Sequence, residues 1–69
     1  MLPDCSELPD WVLWIAQDAD GAWWAYEHEP NMYDSGWYEN ELGRRMPLHK
    51  NEPNRQWRQE VHIITKSNQ

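Results

Sequence analysis

The sequence has no phenylalanine and a single cysteine, Cys5, among its 69 residues. One cysteine cannot form an internal disulfide, and this cysteine usage fits a reducing cytoplasm best. A chain this short buries only about 60% of its unfolded surface, so its core is thin. Six Trp and three Tyr take the place of phenylalanine. Each of these rings can bury roughly 150–250 Å² while keeping a polar group, so aromatic side chains supply most of the apolar area.

Long apolar runs are missing as well. No segment approaches the roughly 18 consecutive apolar residues of a membrane span. Residues 1–4, Met-Leu-Pro-Asp, lack the positive charge and apolar stretch of a secretory signal. These absences predict a cytoplasmic protein without a membrane segment. The mean hydropathy of -1.08 is low, but 39% hydrophobic and 26% charged residues are compatible with a folded chain.

Basic residues are absent from the first part of the chain. No Lys or Arg precedes Arg44, whereas ten of the twelve acidic residues lie in residues 1–42, which therefore carry -10. The remainder holds six bases and two acids and carries +4, so the net charge is -6. Either the basic C-terminal part packs across the acidic part, or an acidic face meets a basic partner. The pI of about 4.8 disfavours direct nucleic-acid binding.

The most informative segment consists of two aromatic-rich runs joined by Asp18-Ala19-Asp20-Gly21. Aspartate first and glycine last suit a type I turn within a hairpin loop. We therefore predict a strand from Trp11 to Gln17 that pairs antiparallel with Ala22 to His28, and we expect Trp24 and Tyr26 to face the core. A helix capped by Asp10 is the alternative for the first run.

The later segments are shorter. Pro30 ends the second strand, because proline cannot donate to a sheet. We expect a loop over residues 31–36 and a third strand at Trp37-Tyr38 that ends by Leu42-Gly43. Residues 44–56 should form an irregular excursion, in which Arg45-Met46 and Leu48 cover the sheet edge. Gln59 to Thr65 is the last predicted strand, and a short helix from Asn54 is its alternative.

Together these segments predict a mainly β fold: a small single-domain antiparallel sheet of three to four strands in meander order, with one short C-terminal helix as a variant. The domain would span residues 11–66, after an irregular arm (residues 1–10) and before a short tail (residues 67–69). No internal repeat occurs in the sequence.

No group of residues has the pattern of an active site or a metal site. Asp18, Asp20 and Glu27 match some spacings of an EF-hand loop, but Ala16 would occupy the first ligand position and cannot bind calcium. The three histidines and Cys5 lack the close spacing of zinc ligands. The serines lie in no nucleophile-elbow context, and a sheet this small offers little room for a walled cleft. We therefore expect a non-enzymatic protein with no catalytic residues, metal or cofactor.

The aromatic pairs suggest a binding surface. Side chains that are adjacent in a strand point to opposite faces, so Trp23-Trp24 and Trp37-Tyr38 cannot all enter one core. We predict that Trp23 and Trp37 anchor a protein partner, since large aromatic residues dominate binding hot spots, and that Glu27, Glu29 and Glu39 surround them. The alternatives are that loops cover the rings, or that the rings stack on a sugar or base.

The hairpin carries the pattern W-x-A-x-D-x-D-G-x-W-W-x-Y over residues 14–26, followed by Pro30 and then Gly36-Trp37. In these residues the chain resembles a recurring type of small, mostly uncharacterised phage and prophage protein. The resemblance implies a compact β-rich accessory protein made inside an infected or lysogenic bacterium. It transfers no catalytic residues.

These observations predict a binding protein whose acidic, Trp-rich surface docks onto a host protein and modulates or inhibits it. DNA mimicry is a special form, in which carboxylates replace phosphates and the host partner is a nucleic-acid-binding protein. One alternative is a self-associating structural protein that pairs exposed Trp rings across a two-fold axis. Another is an aromatic module that binds a carbohydrate or another small ligand.

Overall fold

The computed structural model describes residues 8–39 and 43–64. In these residues the chain forms β1 (Trp14–Gln17), β2 (Ala22–Tyr26), β3 (Asn31–Met32), β4 (Trp37–Tyr38), β5 (Arg45–Lys50), a 3-10 helix (Trp57–Gln59) and β6 (Val61–Ile63). The mainly β prediction is confirmed. Residues 1–7 of the predicted arm, the predicted strand end at Leu42 and the tail at residues 67–69 lie outside the described residues. None of the described helical segments is long and apolar enough to cross a membrane.

The predicted turn joins β1 to β2. The Gly21 N–H donates to the Asp18 carbonyl (2.9 Å), and the Ala22 N–H donates to the Asp20 carboxylate (3.0 Å). Gly21 has a φ of 95°, a left-handed conformation that favours glycine. A Cβ at this position would also collide with the backbone of Asn51. The strand prediction for the first run is therefore correct over Trp14–Gln17. Glycine is needed at position 21 both for its left-handed conformation and for the close approach of Asn51.

The four-stranded sheet has the order β5-β2-β1-β6, and all its pairs are antiparallel. This order is not the predicted meander. After β2 the chain leaves the sheet to form the separate two-stranded sheet of β3 and β4, and then returns as β5 on the far side of β2. The predicted third strand, Trp37–Tyr38, therefore belongs to the second sheet.

Residues 44–56 are not the predicted irregular excursion, because they contain the six-residue edge strand β5. Proline is tolerated at an edge, where its missing N–H faces away from the neighbouring strand. The C-terminal part combines both predicted alternatives, since the 3-10 helix buries Trp57 and β6 follows directly.

The buried core lies on one face of the large sheet. Val12, Ile15, Trp23 and Ala25 form it, and five partly buried residues pack against it: Leu8, Trp11, Met46, Leu48 and Ile64. On the other face, Ala16 and Tyr26 are buried. The prediction that Tyr26 enters the interior is correct, whereas Trp24 is only half-buried.

Candidate docking surface

Trp23, predicted to be an exposed anchor, lies inside the protein. It is 1% exposed and its ring centroid is 6.1 Å from that of His62. Its indole N–H has no hydrogen-bond partner within the described part of the chain. The prediction is wrong because the face of β2 that carries Trp23 is covered by the core residues around Val12 and Leu48. Trp23 therefore contributes to the core and is not available to a partner.

Trp37 is half-buried and fastens the small sheet to the large one. Its indole N–H donates to the Gln17 carbonyl (2.9 Å), and its backbone N–H donates to the Asp18 carboxylate (2.9 Å). Its carbonyl accepts a hydrogen bond from the Tyr26 hydroxyl (3.2 Å), and its ring meets Trp57 edge to face at 6.1 Å. The polar atoms and ring of Trp37 are thus used within the fold.

Burial changes the acidity of two of these partners. It raises the pKa of the Asp18 carboxyl, although the Trp37 N–H acts in the opposite direction. It also raises the pKa of the Tyr26 hydroxyl, and the nearby Asp18 charge adds to that effect. Both groups hold the small sheet in place.

Three other Trp rings are covered by arginine side chains. The guanidinium carbon lies 4.5–5.5 Å from the ring centroid in each pair, within the range of a cation–π contact. The pairs are Arg44 with Trp11, Arg45 with Trp24, and Arg58 with Trp57. The first two pairs show that the basic C-terminal part packs across the aromatic N-terminal part, whereas Arg58 and Trp57 both belong to the C-terminal part.

Glu27, a predicted partner-binding residue, forms an internal ion pair. Its two oxygens accept hydrogen bonds from the Arg44 side chain (3.2 and 3.1 Å), and one also accepts the Arg44 backbone N–H (2.9 Å). These hydrogen bonds lower the pKa of Glu27 to about 2. A second pair, Lys50 with Asp20 at 3.6 Å, also links the two halves of the chain.

The exposed aromatic surface lies on the β3–β4 hairpin. Tyr33 is 64% exposed, Met32 49% and Tyr38 38%. The two tyrosine rings meet edge to face, with centroids 5.7 Å apart. Tyr38 is opposite Asn31 in the register, whereas the inward-facing Trp37 is opposite Met32. Tyr38 therefore points away from the large sheet.

Acidic residues flank these rings. Glu29 precedes β3, Asp34 lies in the turn and Glu39 follows β4. Glu29 and Asp34 are exposed and Glu39 is half-buried. Among the described residues, neither Glu29 nor Asp34 forms a salt bridge. We call the two rings and these acidic residues the tyrosine hairpin surface: Glu29, Tyr33, Asp34, Tyr38 and Glu39.

The structure thus brings together only part of the predicted site. Glu29 is exposed beside the tyrosine rings, and Glu39 is half-buried with one carboxylate oxygen inside the protein. Trp23, Trp37 and Glu27 contact other residues of the fold. The sequence prediction does not include Tyr33, because it places a loop over residues 31–36. The available signal is the pair Tyr33 and Tyr38 on either side of Asp34-Ser35-Gly36-Trp37, because a turn over Asp34-Ser35-Gly36 places the two tyrosines side by side.

Shallow, open depressions also lie on the surface around Pro53. Three adjoining depressions of about 510, 390 and 390 Å³ surround Pro53. Gln17 and Asn54 line one of them, and their side chains hydrogen-bond to each other at 2.9 Å. In residues 8–39 and 43–64, no three His, Cys, Asp or Glu side chains are grouped to hold a metal ion.

Comparison with protein-family models, with curated proteins and with solved structures gives no match for this chain. The chemistry of its own surface is therefore the basis for assigning a function.

Proposed function

We propose that this chain is a non-enzymatic phage accessory protein that binds a protein of the bacterial host cytoplasm and modulates or inhibits it. The docking site is the tyrosine hairpin surface. One observation carries the proposal: Tyr33 and Tyr38 are exposed side by side among acidic residues, in a chain where five of the six Trp rings contact another ring or a guanidinium group.

Tyrosine is well suited to this task. Tyr is enriched at protein interfaces, because its ring supplies contact area and its hydroxyl supplies a hydrogen bond. Tyr33 and Tyr38 already contact each other edge to face, so ordering them on binding costs less conformational entropy than ordering two separate side chains. The pair can therefore act as a preorganised anchor.

The charge favours a basic partner. The net charge is -6, and Glu29 and Asp34 are exposed next to the rings. An acidic patch accelerates encounter with a basic surface and repels acidic ones. Host proteins that bind nucleic acids carry such basic surfaces, and the carboxylates would then occupy places that phosphates normally take. The W-x-A-x-D-x-D-G-x-W-W-x-Y pattern supports the assignment to phage proteins.

The test is capture from a nuclease-treated bacterial lysate on the immobilised protein, at moderate and at high salt, followed by mass spectrometry. We expect one basic host protein to be retained at moderate salt and lost at high salt. The double variant Tyr33→Ser/Tyr38→Ser should fail to retain it. Leu13→Ser changes an exposed apolar residue immediately before β1 and should retain it. Equal capture by all three proteins, or capture abolished by nuclease, would contradict the proposal.

An aromatic platform for a carbohydrate is the second candidate. Two exposed rings favour it, but their planes are 78° apart, so they do not form one flat surface for a sugar. If added oligosaccharides changed the tyrosine and tryptophan fluorescence and the double variant abolished that change, this candidate would replace the first.

A further inference from the structure

The outer edge of β6 is an unpaired sheet edge. The Gln17 N–H donates to the Glu60 carbonyl, and the Ile64 N–H donates to the Leu13 carbonyl. In this register, the backbone N–H and C=O of His62 face β1. Because these groups alternate along an antiparallel strand, those of Val61 and Ile63 point away from the sheet. No strand in the described part of the chain pairs with that side.

The opposite edge of the same sheet, β5, is protected. The Glu27 N–H donates to the Arg44 carbonyl, and Ala25 is opposite Met46. The backbone groups of Arg45 and Pro47 therefore face outward, and Pro47 has no N–H to offer. A register shift interrupts the strand, and Lys50 ends it. Proline, bulges and basic residues are the usual devices that prevent pairing at an edge.

The side chains around the β6 edge are uncharged or internally paired. Residues 61–64 carry no formal charge, apart from any proton on His62. The carboxylate of Glu60 lies 2.9 Å from the His62 ring nitrogen. Ile63 is 62% exposed and is opposite the half-buried Trp14. An apolar strip therefore borders the unpaired backbone groups.

We infer that the β6 edge binds a second copy of this chain. An antiparallel pair related by a two-fold axis at His62 would place Val61 of one protomer opposite the partner's Ile63. The outward N–H and C=O groups of both residues would then be satisfied in each copy, and the two sheets would form one eight-stranded sheet. Such an edge is self-complementary, as an isologous interface requires.

Charge favours a second copy over an unrelated basic partner at this edge. Two copies of net charge -6 repel each other where their acidic surfaces meet. The uncharged β6 edge allows contact without bringing acids together. A basic partner gains no attraction here, but it does at the tyrosine hairpin surface. The two surfaces therefore fit different occupants.

Sedimentation analysis of the whole chain tests the inference. From about 1 μM to about 1 mM, the mass should rise from 8.4 kDa towards twice that value. Ile63→Lys adds an edge charge at an exposed position and should weaken association at least about tenfold. His49→Lys adds a charge at an exposed position of β5, the opposite edge of the same sheet, and should associate as the parent does. A parent that remains at 8.4 kDa throughout, or an Ile63→Lys variant that associates equally well, would overturn it.

A chemically synthesised chain gives a test that leaves every side chain unchanged. N-methylation of Ile63 removes one outward donor and blocks the edge, while the bonds between β1 and β6 remain. N-methylation of Arg45 makes the matched change on the β5 edge. We expect a monomer from the first and parental association from the second. Equal association of both chains would show that the β6 edge is not the interface.

Discussion

At the scale of single residues, the Trp side chains differ in partners although they are chemically identical. Trp37 uses its two N–H groups and its carbonyl within the fold, whereas Trp23 is buried by packing alone. The sequence alone does not show whether Trp23 or Trp24 is the buried one, because adjacent side chains in a strand point to opposite faces. The choice depends on which face of β2 is covered by segments distant in the chain, namely β5 and the residues before β1.

Asp18 should be a principal link between the two sheets. In Asp18→Ala the Trp37 N–H loses its acceptor, and leaving a partly buried donor unpaired costs about 1–3 kcal/mol. We expect this loss in urea unfolding followed by Trp fluorescence. Asp18→Asn keeps an acceptor oxygen and should lose much less. Equal stability of the alanine variant and the parent would show that this hydrogen bond contributes little.

The Glu27–Arg44 pair should make stability depend on pH. The pKa of Glu27 is about 2 in the folded protein, below its ordinary value of 4.5. The unfolded chain therefore binds a proton first as the pH falls, and the stabilisation by Glu27 is complete above 4.5 and lost between 4.5 and 2. Melting temperatures measured across this range should fall more steeply for the parent than for Glu27→Gln. Parallel curves would contradict the assignment.

At the scale of elements, the structure that depends on local sequence was predicted correctly, whereas the pairing of strands distant in the sequence was not. The turn at residues 18–21 was predictable, because aspartate and glycine specify it locally. β5 was missed because Pro47 and polar residues hid the alternation of Met46 and Leu48, whose side chains pack on the core. The second sheet was missed because Trp37 pairs only with a two-residue strand.

Gly36 determines how closely the β3–β4 hairpin approaches the β1–β2 turn. A Cβ on Gly36 would lie 2.5 Å from an Asp18 carboxylate oxygen, so Gly36→Ala should displace the hairpin and lower stability. All three nearest atoms belong to the Asp18 side chain. The same substitution should therefore cost less in an Asp18→Ala background, and a double-mutant cycle in urea should be non-additive. Additive effects of Gly36→Ala and Asp18→Ala would show that the strain does not come from the Asp18 side chain.

At the scale of the whole molecule, the two-sided charge is only partly neutralised. Arg44 with Glu27 and Lys50 with Asp20 join the basic and acidic parts of the chain. Glu29 and Asp34 remain exposed on the tyrosine hairpin surface. The sequence left two alternatives open: internal packing of the basic part on the acidic part, or an acidic face for a basic partner. The structure shows internal pairing for Glu27 and Asp20 and leaves Glu29 and Asp34 exposed.

Charge and aromatic contacts should affect different rate constants of partner binding. For the captured host protein, Glu29→Lys/Asp34→Lys should reduce the association rate constant at least about tenfold at low salt and flatten its salt dependence. Tyr33→Ser/Tyr38→Ser should mainly raise the dissociation rate constant, since buried anchors determine the lifetime of a complex. Surface plasmon resonance separates the two effects. An unchanged association rate for the charge variant would remove the electrostatic part of the account.

If the tyrosine hairpin surface is the docking site, a bound host protein should cover residues 29–39. Amide hydrogen exchange of the protein, alone and with the captured host protein, tests it most directly because it maps contact along the whole chain. We expect new protection over residues 29–39 and little change in the loop around Pro53. Protection confined to that loop or to β5, with residues 29–39 unchanged, would contradict it.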